Sequence, residues 1–142
     1  MKSSNLAAEF YVASALFRLG YSVTLTLGNT KEIDLIVYDE KTKKTVTIDV
    51  KGLKGTTNWP MPNNEKLAER STHFYALVTF KNKTEKLDLS PEIYIVPSSR
   101  VKKIWSDWSN TDSKQKCINY KDIKHYSDLK GTEGFKQLFS QE

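Results

Sequence analysis

Cysteine is nearly absent: Cys117 is the single one in 142 residues. One thiol excludes an intrachain disulfide and any zinc cluster built on cysteine, and it fits a reducing compartment such as the cytosol. Histidine is scarce as well, with two residues, His73 and His125. His73 begins a run that reads as a buried strand and is a structural residue there. No apolar run approaches the ~18–20 residues needed to span a bilayer. The opening MKSSNLAAEF lacks a secretory apolar core and cleavage site. These absences lead us to expect a soluble, cytoplasmic protein with no membrane partner. There is no internal repeat, low-complexity tract or linker, and 38% hydrophobic residues suffice for a core, so residues 1–142 read as one domain. The 22 Lys and Arg against 17 Asp and Glu give a net charge of +5, which leans towards a polyanionic partner.

The most informative stretch is Lys31–Gly52, KEIDLIVYDEKTKKTVTIDVKG. Two runs rich in β-branched residues, Ile33–Tyr38 and Thr45–Val50, flank a polar connection over 39–44, the pattern of a β-hairpin. Centring it on Lys41 and Thr42 sets Ile33 against Val50, Leu35 against Ile48 and Val37 against Val46, so one face is wholly aliphatic. The other face sets Asp34 against Asp49, Ile36 against Thr47 and Tyr38 against Thr45. A slip of one residue would mix the two sets. Directly opposed Cβ atoms sit roughly 4.5–5.5 Å apart, where like charges repel. Lys51 shares the face of Asp49, because side chains alternate along a strand. Two acids and one amine there suit a hard, oxygen-seeking cation such as Mg2+ beside a lysine; a solvated face with a surface ion pair is the plainer alternative.

Upstream, Ser3, Ser4 and Asn5 offer N-caps for a helix over Leu6–Leu19, with Gly20 at its C-terminal stop. Leu6, Phe10, Ala13, Leu16 and Phe17 form an apolar stripe at helical spacing. Glu9 falls between the directions of Leu16 and Ala13. A buried acid needs a partner, so Glu9 either lies at the margin of a slightly rotated helix or points at the same cation as Asp34 and Asp49. Tyr21–Leu27 alternates as a strand, closed by Gly28 and Asn29. Gly52–Asn64, with its glycines and prolines, reads as a loop, and Asn64–Ser71 as a short helix. His73–Phe80 is nearly continuous apolar, as in a strand covered on both sides. Glu92–Val96 is the next strand, then a helix over Arg100–Trp108 with Val101, Ile104, Trp105 and Trp108 on one face. A polar loop over 110–116, an unassigned segment at Ile118–Asp122 and a terminal helix at Gly134–Phe139 complete the chain. The expected architecture is α/β, a mixed central sheet flanked by helices.

Glu9 on the first helix, Asp34 opening a strand and Asp49-Val50-Lys51 on the next resemble the PD-(D/E)xK nuclease superfamily, which includes type II restriction endonucleases and archaeal-type Holliday junction resolvases. The resemblance covers roughly Asn5 to Trp108, and it departs from the pattern at Ile33, where the motif has Pro. It implies a restriction endonuclease-like αβββαβ core and a metal-dependent nuclease. In that reading Asp34, Asp49 and the Val50 carbonyl ligate Mg2+ or Mn2+, Glu9 completes the site, and Lys51 positions or activates the attacking water. Hydrolysis of a phosphodiester needs a nucleophile near neutral pH and stabilisation of growing charge, and a bound metal supplies both.

The substrate expected is nucleic acid, DNA above all, cut in a structure-selective or restriction-like manner. Lys54, Asn58, Trp59, Lys66 and Arg70 are the nearby basic, polar and aromatic residues that could track a backbone, with Trp59 stacking on a base; alternatively Trp59 covers the sheet edge. Two-fold substrates would favour a homodimer. Two other readings compete, a non-catalytic nucleic-acid-binding module on the same fold and a protein-interaction module.

Overall fold

Helix α1 spans Ser3–Arg18 and ends in a Schellman arrangement. Gly20, at φ +90°, donates to Phe17 O at 3.0 Å while Tyr21 N–H reaches Leu16 O at 3.1 Å, a backbone turn that glycine adopts without a Cβ penalty. The structure, a computed structural model, describes residues 3–26, 33–62, 72–107 and 115–140. The expected helix over Asn64–Ser71, Gly28 and Asn29, and Trp108 therefore lie outside the described residues.

The buried side of α1 is not the expected stripe. Ala8, Val12, Ala13 and Leu16 face the sheet, while Leu6, Phe10 and Phe17 are 40%, 52% and 54% exposed. Alanines at 8 and 13 let the helix approach the strands closely. Asn5 also fixes the rotation: its side-chain oxygen accepts the Gly52 N–H at 2.9 Å. Turning the helix to bury both phenylalanines would break that bond.

Strand β1 (Ser22–Leu25), β2 (Leu35–Asp39) and β3 (Lys44–Leu53) form an antiparallel meander. The hairpin register follows the alternation, with Leu35 on Ile48, Ile36 on Thr47, Val37 on Val46 and Tyr38 on Thr45. The rungs Ile33–Val50 and Asp34–Asp49 do not form; the regular ladder stops at Leu35–Ile48. Next come β4 (Asn58–Met61), β5 (His73–Thr79) and β6 (Glu92–Pro97). β5 lies parallel to β3 and antiparallel to β6, so the main sheet is mixed, in the order β1-β2-β3-β5-β6. Every residue of β5 is buried, as its unbroken apolar run predicts.

Helix α2 covers Ser98–Ile104, shorter than Arg100–Trp108, because Trp105 turns extended to lead into β7 (Ser106–Asp107). β8 (Lys116–Asn119) and α3 (Tyr120–Ile123) occupy the unassigned segment. α4 runs Gly131–Phe135, starting earlier than Gly134. Gly134 has to lack a side chain, since a Cβ there would lie 2.1 Å from Leu129 O.

The segment expected to be a loop contains β4, which joins β8 and β7 in a small second sheet of order β4-β8-β7. Pro60 is tolerated because β4 is an edge strand. The main sheet is thus covered twice. α1 and α4 pack on the face of Val46, Ile48, Val50 and Ile95. The small sheet, α2 and α3 pack on the face of Tyr75, Leu77, Tyr94 and Val96. No helix among the described residues is long and apolar enough to cross a membrane.

Candidate active site

The candidate site lies where β2 and β3 part. Asp34 follows no regular rung: its N–H donates to Ile48 O at 2.9 Å and its C=O accepts the Thr26 N–H at 2.9 Å. Its carboxylate then folds onto β3, where Oδ2 accepts the Val50 N–H at 2.8 Å. One position further along the same edge, Gly52 N–H is taken by Asn5. Two side chains thus replace the missing strand, satisfying backbone donors that burial would otherwise leave unpaired. The opposite edge of β3 belongs to β5, as Thr47 N–H donating to Thr72 O at 2.9 Å marks. Since N–H and C=O of one residue point to the same edge, the Val50 carbonyl is directed to the side of Asp34.

Asp49 and Lys51 occupy the other face of β3, beside Tyr75 and Leu77 of β5. Asp49 is only 7% exposed, and Lys51 Nζ lies 3.5 Å from its Oδ2. Burial, first, and then the neighbouring Asp34 carboxyl push Asp49 well above the usual carboxylate range, against the pull of Lys51.

Glu9 enters from α1. Burial and then the charge of Asp34 raise its pKa from 4.5 to about 7. Its Oε1 is buried with no hydrogen-bond partner among the described residues, the unpaired inward acid that the helix angle implies. Asp34 therefore acts electrostatically on both Asp49 and Glu9. In their present rotamers no three His, Cys, Asp or Glu side chains among the described residues form a group able to hold a metal ion. The donor set nevertheless fits a hard divalent cation. All its atoms are oxygens, one is orphaned, and two of the acids are raised well above their ordinary range, a penalty that a bound cation would offset.

This arrangement has a measurable consequence for metal-free protein. Glu9 titrates near 7 when folded and near 4.5 when not, so the native state binds the extra proton between those values. Its stabilising contribution is complete below about pH 4.5 and lost as pH rises through about 7. Melting in EDTA from pH 5 to 8 should show a falling transition temperature, and Glu9→Gln should make the fall shallower, leaving the part due to Asp49. A Glu9→Gln profile as steep as the original would contradict the assignment.

The other expected contacts divide. Lys54 is exposed just beyond Lys51, and its C=O accepts the Asn82 N–H. Asn58 is half-buried in β4 opposite Asn119. Trp59 is a correction. It is fully buried, its indole N–H donates to Val78 O at 3.0 Å, and its ring meets Tyr94 edge-on at 6.4 Å. It is a core residue, with no face open to a base. Lys66 and Arg70 lie outside the described residues. His73 is buried with Nδ1 2.7 Å from Thr47 Oγ1, the structural placement expected.

Sequence reasoning missed Asn5, taking it for a helix cap. The signal was its spacing: Asn5 and Glu9, four residues apart, share one face of α1. In comparison with known proteins, no family model matches the chain, and neither does a curated protein or a solved structure.

Proposed function

We infer that the chain is a metal-dependent nuclease of the PD-(D/E)xK kind, hydrolysing phosphodiester bonds in DNA. The observation that carries this reading is the gathering of charge around Asp34: held on the Val50 N–H, it acts electrostatically on both Asp49 and Glu9, whose Oε1 is orphaned, and Lys51 Nζ stands 3.5 Å from Asp49. Acids that repel and desolvate one another cost stability. A non-catalytic binding module or an interaction module would gain nothing from them. The α1–meander–parallel strand–antiparallel strand order supports a restriction endonuclease-like core.

Asp34, Asp49, the Val50 carbonyl and Glu9 would hold Mg2+ or Mn2+. When bound, such an ion supplies a water ionised near neutral pH and stabilises charge on the phosphate. Lys51 orients the attacking oxygen and offsets the negative charge that builds on the phosphoryl group, the role of a preorganised donor. Asp49, 3.5 Å from the Lys51 Nζ, helps to aim that amine. Attack on phosphorus breaks the bond to the leaving oxygen, which takes up a proton. Lys54 lies on the strand's exit from the site and meets the phosphate backbone as a point charge. Recognition by shape, as at a DNA junction, and recognition of sequence both accommodate a domain of this size, as does a homodimer on a two-fold substrate.

The test is cleavage of supercoiled plasmid and of a synthetic four-way junction by purified protein. Nicking or cutting with Mn2+ or Mg2+ and none in EDTA is expected. Equal cutting in EDTA, or none of either substrate with metal, overturns the reading.

A further inference from the structure

We propose that Asn5 is a positioning residue for the acidic site: it fixes the register of α1 against β3 and so sets where Glu9 stands relative to Asp34. This rests on the reading of the site as a divalent-cation centre. The hydrogen bond from Gly52 N–H to Asn5 Oδ1, at 2.9 Å, spans 47 positions of sequence and ties the first turns of α1 to the residue after Lys51. Val50 N–H, two residues earlier on the same edge, is held by Asp34. One short length of β3 therefore anchors both the helix that carries Glu9 and the aspartate whose charge acts on it.

Geometry makes the coupling stiff. Asn5 and Glu9 are one helical turn apart, about 6 Å along the axis, and α-helices this short bend little between adjacent turns. Ala8 and Val12 are fully buried on the same side of the helix, in the rotation that the Asn5 bond holds. The rotation held by Asn5 is the one that leaves Phe10 and Phe17 half exposed. Freed of that bond, the helix gains apolar burial by turning Phe10 and Phe17 inward, and Glu9 moves away from Asp34.

The experiment is calorimetric titration of the whole chain with Mn2+ alone at neutral pH. Asn5→Leu keeps the shape and removes the acceptor; Asn5→Asp keeps an acceptor at the same reach. Asn5→Leu should weaken Mn2+ binding about tenfold, the low end for partners that orient metal ligands, and Asn5→Asp should restore it. In a Glu9→Gln background Asn5→Leu should change binding less than about twofold, since the residue acts through Glu9. Should Asn5→Leu fail to fold, Asn5→Ala carries the same expectation. Undiminished Mn2+ binding by Asn5→Leu or Asn5→Ala overturns the positioning role alone. Equal losses with and without Glu9 overturn it too, in favour of a general packing role. Failure of the unaltered protein to bind Mn2+ overturns the reading of the site, and the proposal with it.

Discussion

Replacing Asp49 with asparagine should abolish cutting while leaving the fold intact or firmer. The neutral isostere keeps the shape of a side chain that is 7% exposed. It removes the charge that burial and Asp34 together disfavour. The loss in rate should be on the order of a thousandfold or more, about 4 kcal/mol of transition-state stabilisation. The metal-free transition temperature above pH 7 should hold or rise, because an acid kept above its ordinary range weakens the folded state once ionised. Plasmid-nicking rates and melting curves measured side by side check both halves. Retained cutting would remove Asp49 from the machinery. Lost cutting with a collapsed fold would make Asp49 structural.

The second large effect is on stability. Trp59→Ala should cost about 3–5 kcal/mol and lower the melting point by roughly 10–20 °C. The indole is fully buried, packs against Tyr94 and Tyr120, and donates its N–H to Val78 O. Trp59→Phe refills much of the volume and gives up that hydrogen bond, a smaller loss of about 1–3 kcal/mol. Thermal melts of both variants give the comparison. A tryptophan that stacked on a base would behave oppositely: its removal would spare the melting point and weaken DNA binding.

The legible and the illegible parts of this chain differ for physical reasons. The hairpin register follows from local alternation, because Leu35, Val37, Val46 and Ile48 can share a buried face in one pairing only. The inward direction of Glu9 follows from helix angle, and the double burial of β5 from its unbroken apolar run. β4 was hidden because its partner β8 lies far along the chain, Asn58 pairing with Asn119, and because Gly55, Pro60 and Pro62 punctuate the segment as a loop would. Trp59 looked free for the same reason. The rotation of α1 was misread because Phe10 and Phe17 outweigh Ala8 and Val12 in hydrophobicity. A backbone donor on a distant strand decides it, and no helical periodicity encodes Gly52. The parting of β2 from β3 was equally invisible: alternation continues through Asp34, while the chain itself leaves the ladder there to let a carboxylate serve as acceptor.

The double covering of the main sheet bears on how the protein is made. One roof needs Phe135 and Leu138, the other Ile118 and Ile123, and Tyr94 bridges to Lys130 beyond β6. During synthesis from the N-terminus, the strands emerge from the ribosome well before these coverings do. The nascent sheet must wait with one side only partly roofed by α1 and the other lacking its later cover, which makes that interval the one in which a chaperone has most to shield.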